Sequence, residues 1–111
     1  MTTPDISHLS PFDGDSGLIN AIVETPSGKR TKFKYDEKSG LFQFDKRMPA
    51  GFTFPFDFGF IPSTIGEGGD PLDVIILTEE PTFAGCIVLA RLLGAWRRSR
   101  ARSTKPSATI D

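Results

Sequence analysis

Gly69-Asp70-Pro71-Leu72-Asp73 leads directly into the β-prone run Val74-Ile75-Ile76-Leu77-Thr78. The apolar run predicts a strand. Pro71 fixes its own φ and biases Asp70 toward extended backbone, so the turn before this strand is stiff. The turn therefore holds two carboxylates three residues apart, which suits a hard cation. The alternative interpretation is a turn in which Asp70 only caps its own backbone.

Short β-prone segments lie on both sides of this stretch. Residues 18–25 form one such segment, closed by the turn residues 26–28. Residues 32–36 and 41–45 alternate polar and aromatic or apolar side chains around a polar turn, which predicts a β-hairpin. Residues 86–93 are an apolar run and predict a further strand. Short strands at close spacing favour a mostly β fold and in particular a barrel.

Phenylalanine occupies every second position from Phe52 to Phe60. In extended backbone this spacing places five rings on one side of the chain, and we expect them to line the core. Pro55 and Gly59 argue against a central strand of a sheet in this segment, because proline cannot donate to a ladder and glycine weakens a strand.

Composition limits the kind of site that the chain can form. With 111 residues, 38% of them hydrophobic, the chain fits one small domain. Cys86 is the single cysteine and His8 the single histidine, so an intramolecular disulfide is excluded and zinc-type ligation is not supported. A metal in this protein would be bound by oxygen.

The two ends of the chain differ in composition from its middle. Residues 1–17 are rich in Asp, Ser, Gly and Pro and predict a flexible leader, whereas residues 95–111 are basic, lack apolar periodicity and predict a disordered tail. No apolar run is long enough to span a bilayer, and the N-terminus lacks the features of a signal peptide. We therefore expect a cytoplasmic protein.

Cationic side chains lie on or beside the predicted hairpin: Lys32, Lys34, Lys46 and Arg47. A small barrel could fold them across from the acidic pair. Carboxylates that hold Mg²⁺, opposed by ammonium and guanidinium groups, are what phosphoryl transfer to water requires. For any one of these lysines, a solvated strand face is the alternative.

Several segments, in this order and at this spacing, resemble the soluble, Mg²⁺-dependent inorganic pyrophosphatases of family I; they are residues 22–26, 32–36, 54–62, 69–74 and 80–86. The resemblance covers roughly residues 18–94. It implies a closed five-stranded β-barrel of the oligonucleotide-binding type, and hydrolysis of inorganic diphosphate to two orthophosphates by metal-activated water. It also implies a homo-oligomer.

The resemblance implies roles for three acidic residues. Asp73 matches the carboxylate that bridges two metal ions, and Asp70 matches the base that orients or deprotonates the attacking water. Glu24 matches an outer carboxylate that acts on a metal through water. The implied metal ligands are therefore Asp73, Asp70 and Glu24, with Asp70 also the catalytic residue.

The resemblance also implies how phosphate is bound. Lys32 matches a phosphate-binding lysine, and Lys46 falls where the family has a phosphate-binding arginine, with Arg47 next to it as the alternative. Phe58 stands at a substrate-binding position where a tyrosine hydroxyl is usual. Losing a hydrogen bond to a charged oxygen costs roughly 1.5–3 kcal/mol.

Other departures from the family pattern reduce the activity that we expect. Gly68 stands where a further metal-binding aspartate is usual, and Lys34 replaces a common glutamate. After Gly94 the sequence leaves the pattern, so we expect residues 18–94 to form a partial barrel without its C-terminal strands and helices, and residues 95–111 to be a non-homologous tail. We expect weak or no pyrophosphatase activity from these 111 residues alone.

Two other functions stay open at the level of sequence. A small barrel with clustered phenylalanines and an arginine-rich tail is typical of modules that bind single-stranded nucleic acid. The acidic barrel portion argues against this function. The other possibility is a non-catalytic chain that associates with complete family subunits.

Overall fold

The computed structural model describes residues 6–66 and 69–94, together with the backbone of residues 107–110. A short 3-10 helix spans Ile6–His8. The strands of the described residues are β1 (Ile19–Thr25), β2 (Thr31–Asp36), β3 (Leu41–Arg47), β4 (Asp57–Ile61), β5 (Leu72–Leu77), β6 (Ile87–Gly94) and β7 (Ser107–Ile110). Within the described part of the chain, no helix has the length and hydropathy needed to cross a membrane.

Five strands form a closed barrel in the order β1-β4-β5-β7-β6, which confirms the predicted mostly β, five-stranded barrel. All neighbours are antiparallel except β5 and β7, which are parallel. The sequence predicts a partial barrel and a disordered tail over residues 95–111, yet four residues of that tail form β7 and pair with both β5 and β6. The rest of the tail lies outside the described residues.

The segment before β1 is tied to the barrel, although the sequence predicts a flexible leader over residues 1–17. The Asp13 N–H donates to the Leu18 carbonyl at 2.9 Å, and the Asn20 N–H donates to the Pro11 carbonyl at 2.9 Å. The Asn20 side-chain amide also donates to the Ser10 carbonyl at 2.8 Å. Backbone hydrogen bonding of this kind orders residues 10–13 alongside β1.

The core of the barrel consists of every second residue of its strands, because successive side chains of a strand point to opposite faces. On β1 these are Ile19, Ala21 and Val23, and on β5 they are Val74 and Ile76. All five are at most 6% exposed. The residues that alternate with them along the strands, including Asp73, face away from this core.

Strand β4 pairs with a strand on each side, β1 and β5, so the prediction that this segment is not a central ladder strand is wrong. Pro55 precedes the strand and removes no ladder bond. Gly59 is required rather than tolerated, since a Cβ built on it would lie 1.9 Å from the Ile22 carbonyl oxygen. Glycine here allows the backbones of β1 and β4 to approach closely.

The alternating phenylalanines have divided roles. Phe60 is 5% exposed, and Phe54 and Phe58 are half-buried. Of the five rings only Phe60 is buried, so the prediction that all five line the core is wrong for the other four. Phe52 and Phe56 are 60% and 45% exposed. Both precede β4, where the backbone has not yet entered the sheet.

Strands β2 and β3 form the predicted hairpin as a separate two-stranded sheet. The hairpin packs on the outside of the barrel through Tyr35, whose ring centroid lies 5.2 Å from that of Phe42 and 5.4 Å from that of Phe60. The Thr25 hydroxyl accepts from the Phe33 N–H at 3.0 Å and donates to the Phe33 carbonyl at 3.2 Å. One aromatic stack and a few hydrogen bonds therefore join the hairpin to β1 and β4.

Candidate active site

A cavity of about 490 Å³ lies between the hairpin and the outer face of the barrel. Residues of β1, β4 and β5 line one side of it, and residues of β2 and β3 line the other. The barrel side includes Glu24, Phe58 and Asp73, and the hairpin side includes Lys32 and Lys34. The barrel side of the cavity is therefore acidic, whereas the hairpin side carries lysines together with the carboxylates of Asp36, Glu37 and Asp45.

The structure brings the three predicted acidic residues to this one cavity. Asp73 lies on β5 opposite Phe60 of β4, and Asp70 lies in the turn just before β5. Glu24 lies on β1. All three line the cavity, and Asp70 and Asp73 are exposed to it.

Glu24 lies on the outer face of β1, at an irregularity of the strand. Val23 pairs with Gly59 and Thr25 pairs with Phe58, so Glu24 is the extra residue of a β-bulge. Alternation along β1 places Val23 in the core and Glu24 on the opposite face, where it lines the cavity. Thr25, the next residue, is buried.

The environment of Glu24 favours its neutral form. Burial raises the pKa of the Glu24 carboxyl above its ordinary value, and the nearby Asp73 carboxylate raises it further. A hydrogen bond from the Tyr35 N–H to Glu24 Oε2, at 2.9 Å, opposes this increase, as do the charges of Lys32 and Lys34. Carboxylates and ammonium groups therefore interact across the cavity.

Only one of the two predicted phosphate-binding lysines lines the cavity. Lys32 lines the cavity, and its Nζ lies 3.6 Å from Asp45 Oδ2. Lys46 pairs with Lys32 across the hairpin and is exposed, but it is not among the residues that line the cavity, and neither is Arg47. Phosphate binding by Lys46 or Arg47 stays a prediction.

The pairing of β2 with β3 is irregular beside these residues. Lys32 pairs with Lys46, whereas Phe33 pairs with Phe44, so Asp45 is the extra residue of a second β-bulge. Asp45 lines the cavity. The sequence alternation of residues 41–45 does not reveal a bulge, because a shift in register by one residue depends on the partner strand.

Phe58 lines the cavity, with its ring centroid 6.4 Å from that of Phe54. It offers a phosphate no hydroxyl, as the sequence predicts. Gly68 lies outside the described residues. Sequence reasoning missed Tyr35 and Asp45 as residues of the cavity, although Tyr35 lies inside one of the motif segments.

The loop ends next to the cavity are held by a buried carboxylate that the sequence did not single out. Asp57 is 1% exposed, and its Oδ1 accepts a hydrogen bond from the Ser27 N–H at 2.8 Å. Its Oδ2 accepts from the Thr82 hydroxyl at 2.6 Å and from the Thr82 N–H at 3.2 Å. Asp57 therefore ties the loops after β1 and β5 to β4, and its role is structural.

Residues 21–103 match the family model described as "Inorganic pyrophosphatase". This chain belongs to the inorganic pyrophosphatase family. The match runs past residue 94, where the sequence analysis placed the end of the family pattern. Membership confirms the family resemblance and does not favour the nucleic-acid-binding alternative.

Similar proteins agree with this assignment. The inorganic pyrophosphatase of Synechocystis is 38% identical over 90 residues, which are 81% of this chain and 53% of that protein. That of Neisseria meningitidis serogroup B is 42% identical over 89 residues, which are 80% of this chain and 50% of that protein. The chain thus spans about half the length of the curated relatives that it matches.

A solved inorganic pyrophosphatase shares the fold. The Thermus thermophilus enzyme has a TM-score of 0.81 at 28% identity, over 96% of this chain and 63% of that one. The Neisseria gonorrhoeae enzyme has a TM-score of 0.79 at 34% identity, over 96% of this chain and 62% of that one. The barrel with its hairpin is therefore an arrangement found in this family.

Proposed function

We propose that the cavity binds inorganic diphosphate together with Mg²⁺ and supports its hydrolysis to two orthophosphates. The observation that carries this proposal is the meeting of Asp70, Asp73 and Glu24 from the barrel with Lys32 and Lys34 from the hairpin in one cavity. Carboxylates coordinate Mg²⁺, and ammonium groups pair with phosphate oxygens. The carboxylates and the lysines of the cavity can therefore bind the metal ion and the anion of a magnesium diphosphate.

The residues present fit Mg²⁺ in a particular way. Within residues 6–66 and 69–94, no three carboxylate, histidine or cysteine groups form a ready-made metal site. Mg²⁺ is commonly held by one or two carboxylates, with water and substrate phosphates as the other ligands. We propose Asp70 and Asp73 as those carboxylates, with Glu24 acting through water. When bound, the metal lowers the pKa of a water molecule and neutralises phosphate charge.

The residues of the chain itself supply the remaining steps. A carboxylate oxygen of Asp70 accepts a proton from water as the water oxygen attacks one phosphorus atom in line. The bond from that phosphorus to the bridging oxygen breaks, and the second orthophosphate leaves. Lys32 and Lys34 compensate the charge on the phosphate oxygens throughout.

Orthophosphate release from the purified chain, with and without Mg²⁺, tests this proposal. We expect Mg²⁺-dependent release at a rate well below that of a complete family member, because Phe58 lacks a hydroxyl and Gly68 lacks a carboxylate. Asp70→Asn should lower the rate by about 10²-fold or more, the order expected for loss of a general base. Asp15→Asn, in the exposed turn before β1, is the matched control and should leave the rate unchanged.

Binding of a diphosphate analogue distinguishes a site with low activity from a site that does not recognise diphosphate. Methylenediphosphonate has a P–C–P bridge that water does not cleave, so its binding is measurable by calorimetry in the presence of Mg²⁺. If the chain neither releases orthophosphate nor binds methylenediphosphonate, the proposal is wrong. A cytoplasmic location belongs to the same proposal, whereas homo-oligomeric assembly stays a prediction of the resemblance.

A further inference from the structure

We infer that Asp45 is a positioning residue of the cavity, whose carboxylate holds the Lys32 ammonium group in the free protein and competes with diphosphate for it. This inference rests on the proposed diphosphate site. Lys32 Nζ and Asp45 Oδ2 are 3.6 Å apart, and both residues line the cavity. Asp45 thus pairs with Lys32, the cation to which the resemblance assigns phosphate binding.

The position of Asp45 follows from the fold of the hairpin. Asp45 is the residue that the bulge of β3 adds between Phe44 and Lys46. Bulges are frequent next to functional sites, where they re-aim a side chain. Glu24 is the extra residue of the bulge in β1, so each side of the cavity carries a carboxylate that lies at a bulge.

The pair is weak enough for an anion to displace it. The side chains of Lys32 and Asp45 are 39% and 38% exposed, so water screens their attraction. Their separation of 3.6 Å also exceeds the roughly 2.7–2.9 Å of a charge-assisted hydrogen bond. A diphosphate carries several negative charges and attracts the ammonium group more strongly than one carboxylate does.

Asp45 should therefore oppose diphosphate binding in two ways. It occupies Lys32, and its own charge repels the incoming anion. Removing that charge should tighten anion binding by about 3- to 10-fold, a range typical for a partly screened charge at the rim of a site. A residue that only stabilised the hairpin would weaken binding when it is replaced.

Calorimetric titration with methylenediphosphonate and Mg²⁺ measures this effect. Asp45→Asn should lower the Kd by about 3- to 10-fold, and Asp45→Glu, which keeps the charge, should restore a Kd near that of the unchanged protein. Glu37→Gln is the matched control because it removes a carboxylate from another part of the same cavity. It should lower the Kd by about 2-fold or less. Thermal unfolding by circular dichroism checks that each variant is folded.

Repeating the comparison in a Lys32→Met background isolates the pair. In the Lys32→Met protein, Asp45→Asn should tighten binding no more than Glu37→Gln does. If Lys32→Met abolishes measurable binding, Asp45→Asn should not restore it. The inference is overturned if Asp45→Asn weakens binding or leaves it unchanged in the parent protein. It is also overturned if, without Lys32, Asp45→Asn tightens binding more than Glu37→Gln does. If the unchanged protein binds no methylenediphosphonate, the proposed function fails and this inference falls with it.

Discussion

Strands β1, β4 and β5 bury side chains with exposures of 0–6% inside the barrel, whereas every residue of β2 and β3 is half-buried or exposed. Both regions line the same cavity. The barrel is held by a packed core, and the hairpin is held by the Tyr35 stack and by hydrogen bonds to Glu24 and Thr25. Regions with few buried apolar contacts open at lower free energy than the core does.

This difference separates the two chemical halves of the site. The carboxylates Asp73 and Glu24 are fixed by strands of the rigid barrel, while Lys32 and Asp45 belong to the less buried hairpin. Under the proposed function, the geometry of the metal site therefore depends on the stability of the barrel. Diphosphate binding depends also on whether the hairpin stays docked.

The largest effect that we expect comes from Gly59→Ala, which acts on the barrel. Its Cβ would lie 1.9 Å from the Ile22 carbonyl oxygen and 2.8 Å from the Ile22 carbonyl carbon, so β1 and β4 would have to separate. We expect a loss of more than about 4–5 kcal/mol of unfolding free energy, sufficient to unfold many small domains. Circular dichroism and urea denaturation measure it.

Gly94→Ala is the matched control, since no atom of the described residues lies within 4 Å of a Cβ built on this glycine of β6. Its unfolding free energy should stay within about 0.5 kcal/mol of that of the parent. A folded Gly59→Ala protein with the same stability as Gly94→Ala would show that β1 and β4 do not need this close approach.

An intermediate effect should come from Tyr35→Ala, which acts on the attachment of the hairpin. The change removes the ring stacked between Phe42 and Phe60, so the hairpin should lose about 1–3 kcal/mol of docking free energy while the barrel stays folded. Amide hydrogen exchange should accelerate in β2 and β3 and change little in β1 and β4.

Tyr35→Phe keeps the ring and serves as the control for this variant. Its amide exchange in β2 and β3 should stay closer to that of the parent than the exchange of Tyr35→Ala does. Equal acceleration in the two variants would mean that the ring does not hold the hairpin. Equal acceleration in β1 and in β2 would mean that the barrel and the hairpin open as one unit.

The smallest effect should come from Asp36→Asn at the tip of the hairpin. Hydrogen bonds from the Ser39 side chain and N–H lower the pKa of the Asp36 carboxyl below its ordinary value. A lowered pKa in the folded state adds stability above the unfolded pKa, and this stability is lost as the pH falls through the folded pKa. The parent should therefore be slightly more stable than Asp36→Asn at neutral pH, with the difference vanishing in acid.

Thermal unfolding across pH 2–7, an interval that brackets the roughly 3.9 of an unperturbed Asp, measures this dependence. Asp36→Ala also loses the acceptor and should stay less stable than the parent throughout. A difference between parent and Asp36→Asn that is independent of pH would contradict the assignment. A large change in Tm would show that the hairpin contributes to the stability of the barrel.

Local pattern was sufficient to predict several elements. The hairpin, the strand after Asp73 and the strand over residues 86–93 follow from alternation and apolar runs. The local pattern failed at Gly59, where the argument from glycine and proline gave the wrong role for β4. The reason for that glycine is the backbone of another strand, at Ile22, which the local sequence does not contain.

The same limit applies to the site. Motif order predicted that Asp70, Asp73, Glu24 and Lys32 belong to one site, and the structure brings all four to one cavity. It did not predict that Asp45 lines the cavity or that Lys46 lies outside its lining. Both outcomes depend on how β2 pairs with β3 and on how the hairpin docks on the barrel, which the local sequence does not contain.

By itself, the sequence determined the class of fold, the oxygen-rich character of any metal site and the family, because periodicity, composition and ordered motifs are written along one chain. Only the tertiary structure decided which strands pair with each other, which strand closes the barrel and which charged residues share a cavity. These depend on register between segments distant in sequence, and shifting a strand by one residue moves every side chain to the opposite face.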